Sequence, residues 1–346
     1  MDITFVYNRL ENKIQKEIDM TKFVKIAAVA AFLVSSTFAA DYTIKFSHVV
    51  SPNTPKGKAA DFFAKRVKEL TNGKVEVKVF PNSQLYSDKA VMKAIKIGNV
   101  QMAVPSFSKF TRLVPAMQLF DLPFLFRDMK HVHAVMDGPV GQKLRAMVTK
   151  KGFVALNYWD NGFKQLSTNK KALIWPKDAK GQKFRIMSSK VLEAQFKAVG
   201  ANPQVLPFSE VYSALQQGVV DGGENPLSNF YTKKFYEVQK NLTLSNHGYL
   251  GYLVVMSKRF WDKFPADLKP KIIQAMNEAT VYERKEAAAL EGTFLANVKA
   301  YAKKTGKLNI YTLTPAQTAA WRKAMVKIYP QFYGVIGKNL IKDAQK

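Results

Sequence analysis

The chain has 346 residues, of which 47% are hydrophobic and none is cysteine, so it can form more than one packed domain but neither a disulfide framework nor a cysteine-ligated metal site. Its formal net charge is +27, because 53 lysines and arginines face 26 aspartates and glutamates. The lysines are spread along the chain rather than clustered as in a nucleic-acid footprint. A general field that attracts anions and a solvated basic surface without a function explain the charge equally well.

The first segment has the pattern of a secretory leader. Two lysines precede the apolar run "IAAVAAFLVSS", and small residues follow in "TFAAD". This order is typical of a signal peptide and predicts cleavage after Ala39, with residues 1–39 as the leader. Because Met20 stands where such a leader should begin, residues 1–19 are interpreted as a non-native extension. A permanent membrane anchor, the alternative, needs a longer apolar run.

From Tyr42 onward, strand patterns alternate with helix patterns. Period-two apolar residues predict strands in "YTIKFSHV", "KVEVKVF" and "VQMAVPSF". The segments between them predict a helix that begins at Thr54 or Pro55 and a second helix between Ser87 and Gly98. Strands and helices that alternate at this spacing predict a parallel sheet with helices on its faces.

The middle of the chain predicts a second α/β lobe. The stretch "PAMQLFDLPFLF" is interpreted as a buried loop, and a helix broken at Gly138 and Pro139 follows it. After the strand-like "FVALNYWDNGFKQLSTN", a second set of strands and helices is predicted in "KFRIMSS", "KVLEAQFKAVGA", "PQVLPF" and "SEVYSALQQGVV". The following "DGGENP" is interpreted as a turn.

The last third of the chain contains one unusually long helical pattern. "NLTLSNHGYLGYLVVMSKRFWDKFP" has strand character, and residues 266–304 then read as a single helix. Typical globular helices run to about 20 residues, so a longer one without coiled-coil heptads is expected to lie across both lobes. The tail predicts one or two further helices.

Sequence motifs for catalysis are absent. There is no phosphate-binding glycine loop, no Gly-x-Ser-x-Gly elbow and no His-Glu-x-x-His. His131 and His133 are two residues apart on a predicted helix, so they point to different sides, and a solvated helix explains them better than a metal site. We therefore predict a protein that is not an enzyme and holds no cofactor and no metal.

Arg185 is the residue that most needs explanation, because it lies within the apolar strand "KFRIMSS". A buried guanidinium requires an anion, which is either a carboxylate of the same chain or one that arrives as a ligand. Lys164, Asn225 and His48 also lie near the ends of predicted elements, where ligands of parallel α/β sheets bind. For Lys164 a surface position, and for Asn225 a turn-forming role, are equally compatible with the sequence.

The chain resembles the solute-binding proteins of tripartite ATP-independent periplasmic (TRAP) transporters, of the dicarboxylate-binding type. The matching pieces run in order from Ser47 to Lys258: "FSHVVSPNTPKGKAADFFAKRVKELTNGKVEVKVFPNSQLYSD", "PAMQLFDLPFLF", "DNGFKQLSTN", "KFRIMSS", "PFSEVYSALQQGVVDGGENP" and "HGYLGYLVVMSK". The resemblance implies an α/β two-lobe periplasmic binding protein fold, with hinge strands and a long helix spanning both lobes. The lobes are expected at 40–161 with 250–288, and at 162–249 with 289–346.

The resemblance also implies a site and a partner. A ligand carboxylate is expected on Arg185, with Lys164 as a second cation where many relatives have arginine, and with Asn225 beside them. The resemblance also implies, with weaker support, that the first lobe's side of the cleft is lined by His48, Lys56 and Asp88. The implied ligand is malate, fumarate or succinate, held by a periplasmic monomer that delivers it to the membrane permease subunits and binds no nucleic acid.

Three alternatives stay open at this point. The ligand could be another carboxylate, such as a 2-oxo acid, a sugar acid or an aromatic acid, for the same transport role. The chain could be a secreted enzyme that uses the same cleft, although no acid–base or metal constellation supports that reading. It could also be a basic protein that adheres to an acidic surface, in which case binding would collapse with added salt and would not depend on Arg185.

Overall fold

One mixed sheet of nine strands organises the part of the chain that the computed structural model describes, residues 40–346 with the isolated positions 13, 15 and 16. Ala39, after which cleavage is predicted, and the rest of the leader apart from those three positions lie outside the described residues. The strands are β1 (Tyr42–Ser47), β2 (Val75–Phe80), β3 (Met102–Ala103), β4 (Phe153–Thr168), β5 (Lys183–Ile186), β6 (Asn202–Val205), β7 (Gly222–Asn225), β8 (Asn241–Ser257) and β9 (Asn309–Thr312). Their order is β2-β1-β3-β8-β4-β7-β5-β6, with β9 beside β8.

The sheet contains two parallel groups joined by two long antiparallel strands. In the first strand group β1 pairs in parallel with β2 and β3, and in the second strand group β5 pairs in parallel with β6 and β7. The 16-residue β4 and the 17-residue β8 are antiparallel to each other, and each also pairs with one of the groups. The prediction of a parallel sheet is therefore right within each group and wrong at the centre. There, β8 joins the first group and β4 joins the second, and the pair of them forms the hinge strands.

Helices cover the sheet at the predicted places. They are α1 (Pro55–Leu70), α2 (Asp88–Ile97), α3 (Met129–Asp137), α4 (Pro139–Thr149), α5 (Lys190–Ala198), α6 (Val211–Gln216), α7 (Leu227–Thr232), α8 (Lys258–Lys263), α9 (Lys269–Thr305), α10 (Pro315–Val326) and α11 (Lys338–Ala344). Short 3₁₀ segments are Phe107–Lys109, Pro115–Asp121, Pro176–Ala179, Phe208–Glu210, Phe235–Glu237 and Tyr329–Phe332, and Tyr333–Gly337 is a π turn.

Capping residues fix the helix ends that the sequence predicts. The Thr54 side chain accepts a hydrogen bond from the Gly57 amide at the start of α1, and Ser87 does the same for Ala90 in α2. Both bonds satisfy amides that have no partner inside the helix. Gly98 ends α2 with φ of 83°, a left-handed conformation that glycine adopts without a steric penalty.

Three local predictions are corrected by the structure. The glycine-rich "DGGENP" is not a turn, because Gly222–Asn225 forms β7 between β4 and β5. A Cβ at Gly222 would overlap the Ser167 carbonyl, so glycine here permits close strand approach rather than a turn. The segment Lys258–Lys263 is helical rather than extended, and Pro115–Asp121 is a buried 3₁₀ helix rather than a loop.

The 37-residue helix α9 packs against both ends of the sheet, as predicted. Its first half buries Ile272 and Met276 in a cluster with Phe63 of α1. Its second half buries Phe294 and Val298 among the aliphatic and aromatic residues that surround α7. Because each half has its own apolar partner, α9 is a rigid connection between the two strand groups. No helix in the described part of the chain is both long enough and apolar enough to cross a membrane.

The lobe boundaries given above stay a prediction. The structure adds that the segment from Ile328 to Ala344 packs into an apolar cluster with Leu119, Met136 and Leu144. The end of the chain thus closes over the helices α3 and α4 that precede β4.

The junction of α3 and α4 depends on a glycine, and we expect Gly141→Ala to destabilise the fold. The added Cβ would overlap the Met136 carbonyl, and both residues are buried. Overpacking of this kind typically costs about 1–3 kcal/mol. Gly292→Ala is the matched control, because Gly292 lies inside α9 with nothing near its Cβ position, and alanine there should stabilise by about 0.5–1 kcal/mol. Urea unfolding of both variants checks the opposite signs, and equal effects would contradict the prediction.

Candidate ligand-binding site

A cavity of about 150 Å³ lies where the carboxyl ends of both strand groups meet. From the first group, the residues after β1, the start of α2 and the turn after β3 line it. From the second group, the ends of β5, β6 and β7 contribute, and β8 passes behind with Leu250 and Tyr252. Strand carboxyl ends of this kind are the usual ligand sites of α/β sheets.

Arg185 lines this cavity and has no carboxylate partner. Its Nε and Nη2 atoms both donate to the Leu206 carbonyl, at 3.1 and 2.9 Å, and no described carboxylate lies within 4 Å of the guanidinium. The residue is 3% exposed. Burial lowers the pKa of Arg185 to about 10, although Glu224 and Asp88 oppose the effect. The remaining donors of the fork, on Nη1 and Nη2, are available to an anion in the cavity.

Lys164, in contrast, is already paired. Its Nζ donates to Glu224 Oε1 at 2.7 Å, and both side chains are almost fully buried. The other oxygen of Glu224 accepts hydrogen bonds from Gln195 Nε2 at 3.1 Å and from His247 Nε2 at 2.8 Å. Burial alone would raise the pKa of Glu224, but Lys164 and His247 outweigh it and hold that pKa at about 2. Glu224 lines the cavity, whereas Lys164 lies behind it.

Asn225 and Asp88, two of the predicted site residues, line the cavity. Asn225 ends β7 opposite Gln165, and its position on a strand rather than in a turn directs it to the carboxyl edge of the sheet. Asp88 is the first residue of α2 and is 9% exposed. Its carboxylate raises the pKa of Lys109 and of Arg185 against the effect of burial, so it counts as part of the cavity's charge.

His48 and Lys56 lie behind the cavity wall rather than in it. The Lys56 ammonium donates to the Val104 carbonyl at 3.2 Å and stands 3.5 Å above the centre of the Tyr252 ring. Burial lowers the pKa of Lys56 to about 8, with Asp88 opposing. Burial, followed by the Lys56 charge, lowers the pKa of His48 to about 3, so this imidazole is neutral. Neither of the two is among the residues that line the cavity.

Lys109 is the cavity cation that sequence reasoning missed. It ends the 3₁₀ turn Phe107–Lys109 after β3, and its Nζ lies 3.4 Å from Ser188 Oγ, just beyond β5. The stretch "PSFSKF" carries no motif, and a lysine after a short strand is ordinary on a surface. Only the position of the turn against Ser188 identifies it.

The histidine pair of α3 does not form a metal site. His131 is buried and its Nδ1 accepts from the Arg127 amide at 3.2 Å, while His133 Nε2 lies 2.6 Å from Asp160 Oδ2. The two rings point to different sides, as predicted, and each has a protein partner, although His133 is also partly exposed to solvent. The described residues contain no group of three histidines, aspartates or glutamates that could hold a metal ion.

Two strand groups joined by hinge strands, with an anion-receptive cavity between them, define the class of two-lobe solute-binding proteins. A family model described as bacterial extracellular solute-binding protein, family 7 (DctP), matches residues 46–334. The C4-dicarboxylate-binding periplasmic protein DctP of Rhodobacter capsulatus is 46% identical over 319 residues, which are 92% of this chain and 94% of that protein. The chain belongs to this solute-binding family.

Two solved structures are similar to this chain in fold as well as in sequence. A TRAP periplasmic solute binding protein from Sulfurospirillum deleyianum DSM 6946, with bound succinate, has 73% sequence identity and a TM-score of 0.87, covering 88% of this chain and 99% of that chain. Its counterpart from Pseudomonas aeruginosa PAO1, with bound L-malate, has 39% identity and a TM-score of 0.80, covering 84% and 99%. The predicted family and two-lobe fold are confirmed. Membership also makes the chain a solute-binding component of TRAP transport rather than an enzyme.

Proposed function

We propose that this chain captures a C4-dicarboxylate, namely succinate, malate or fumarate, in the cavity at Arg185 and delivers it to a TRAP membrane permease. The observation that carries the proposal is the buried Arg185 guanidinium, which borders a cavity and meets no carboxylate of the described chain. A carboxylate in the cavity would supply the missing counter-ion, and two-pronged hydrogen bonding suits it.

The size of the cavity supports a small ligand. About 150 Å³ is well below the several hundred Å³ that drug-sized ligands occupy. Relatives with bound succinate and L-malate point the same way. A 2-oxo acid, a sugar acid or an aromatic acid would serve the same transport role and is the alternative, but the larger of these would need a wider opening between the strand groups.

The six predicted site residues divide into two roles under this proposal. Arg185, Asn225 and Asp88 form the wall that the ligand touches. Lys164, His48 and Lys56 act from behind that wall, where they set its charge and hold its shape. Lys164 does so by neutralising Glu224.

The ligand would also favour the closed arrangement of the two lobes. Lys233 Nζ, beyond α7, donates to Asn82 Oδ1, beyond β2, at 2.8 Å, and Thr111 Oγ1 donates to the Ser188 carbonyl at 3.3 Å. A ligand held by both strand groups adds to these bonds only in the closed state, so its binding shifts the population toward that state. The permease subunits would recognise the closed form of a monomer in the periplasm, after cleavage of the leader behind Ala39.

A thermal-unfolding panel tests the proposed ligand class. We expect succinate, L-malate or fumarate to raise the melting temperature by a few degrees, because a ligand at a hundredfold excess over its Kd stabilises by about 2.7 kcal/mol. Galactonate and orotate, which are bulkier than a C4-dicarboxylate, should have little effect at the same concentration. If only these larger acids raise the melting temperature, the ligand belongs to the alternative class of carboxylates and not to the C4-dicarboxylates. If a bound acid is turned over, the hypothesis of a secreted enzyme is supported instead.

A further inference from the structure

Among the described residues, two cations that are at least partly buried line the cavity without a carboxylate partner. Lys109 faces it from the first strand group and Arg185 from the second, and no described carboxylate lies within 4 Å of either charge. Within the described part of the chain, the one protein hydrogen bond of the Lys109 ammonium goes to Ser188 Oγ, at a long 3.4 Å. A charge-assisted bond normally measures about 2.7–2.9 Å, so this ammonium is under-satisfied.

Opposing influences act on the charge of Lys109. Burial lowers the pKa of Lys109, while Asp88 and Asp121 raise it and Arg185 lowers it further. Lys109 and Arg185 line the same cavity, so their like charges repel each other. An anion between them would remove that repulsion and satisfy both groups.

Other cations near the cavity are less suited to a second carboxylate. The Lys56 ammonium is held by the Val104 carbonyl and the Tyr252 ring, and Lys164 is bound to Glu224. His48 is neutral, and Lys89 is exposed at the rim, where a single charge is worth little in water.

We propose that Lys109 binds the second carboxylate of the ligand and so selects dicarboxylates over monocarboxylates. This inference rests on the proposed function and names the residue that decides between ligand classes. One carboxylate lies on the Arg185 fork, the other meets the Lys109 ammonium, and the ligand thereby connects the turn after β3 with the end of β5. A monocarboxylate leaves the half-buried Lys109 charge unpaired, and the cavity disfavours it for that reason.

The test compares succinate with butyrate, which has the same chain length and one carboxylate, by isothermal titration calorimetry on the full chain without its leader. In the wild type we expect succinate to bind at least about a hundredfold more tightly. Lys109→Met should weaken succinate about thirtyfold or more, leave butyrate unchanged or tighten it, and reduce the ratio of the two affinities to about threefold or less. Lys109→Arg keeps the charge and should preserve the preference for succinate over butyrate. This variant gives an independent measurement if the methionine variant folds poorly.

Lys89→Met is the matched control, because Lys89 borders the same cavity from an exposed position, and it should change the ratio less than about threefold. A Lys109→Met protein that keeps the wild-type preference for succinate overturns the inference but not the proposed function. A wild type that binds no C4-dicarboxylate overturns both. A wild type that binds succinate and butyrate equally overturns the role of Lys109 alone.

Discussion

Arg185→Met is expected to reduce succinate affinity at least about a thousandfold, the largest effect of any single substitution in the cavity. Removing one partner of a buried, hydrogen-bonded charge pair costs about 2–5 kcal/mol or more, and here the partner left behind is a ligand carboxylate in a closed cavity. Each factor of ten corresponds to about 1.4 kcal/mol, so the upper part of that range gives the expected loss. Isothermal titration calorimetry with succinate measures it.

Arg185→Lys separates charge from geometry. The lysine keeps the positive charge but loses the planar fork, whose Nε and Nη2 atoms anchor the side chain on the Leu206 carbonyl while its remaining donors face the cavity. We expect this variant to bind succinate more tightly than Arg185→Met and at least about tenfold more weakly than the wild type. Arg259→Lys, at an exposed position of α8, is the matched control and should bind like the wild type. If Arg185→Met bound succinate with the affinity of the wild type, the proposal that Arg185 binds a ligand carboxylate would be wrong.

Lys164 and Glu224 form the second test, because removing either one leaves a buried charge without its partner. Lys164→Met and Glu224→Gln should each lower the free energy of unfolding by about 3–5 kcal/mol, and the double variant should lose much less than the sum. Urea unfolding measures this coupling. Lys258 and Asp262 are the control pair: their charges are also 2.7 Å apart, but both side chains are about half exposed, so their coupling should stay below about 1 kcal/mol.

The same variants decide how Lys164 acts on the ligand. Lys164→Met leaves an uncompensated Glu224 carboxylate at the cavity wall, which should weaken succinate at least about a hundredfold by repulsion. If Lys164 acts through Glu224, the double variant recovers most of the affinity. If Lys164 instead touches the ligand, as the family resemblance implies, the double variant binds as weakly as Lys164→Met. Succinate titrations of the three variants therefore separate the two roles.

The pH dependence of this pair has a definite sign. The folded pKa of Glu224 is held at about 2, below its ordinary value of 4.5, so the unfolded chain binds more protons between these two values. The contribution of Glu224 to stability is therefore complete above about pH 4.5 and is lost as the pH falls toward 2. Glu224→Gln should flatten the wild-type stability profile across that window.

Prediction of the fold worked best where its causes are local. The caps Thr54 and Ser87, the break at Gly138 and Pro139, and the length of α9 follow from side-chain periodicity and hydrogen bonds within a turn or two of the chain. Prediction failed at β7, where Gly222 was interpreted as part of a turn, because strand pairing with distant β4 and β5 overrides local preference.

The sequence by itself determined that Arg185 is a buried cation, since an arginine between Phe184 and Ile186 in a short strand must face the interior or an edge of the sheet. It could not determine which cations are left without a protein partner. Lys164 meets Glu224 across 60 residues of chain, and Lys109 meets Ser188 across 79. Charge pairing depends on which strands become neighbours and where the two strand groups close on each other. Tertiary structure alone therefore decided that Arg185 and Lys109, rather than Lys164, His48 or Lys56, face the cavity.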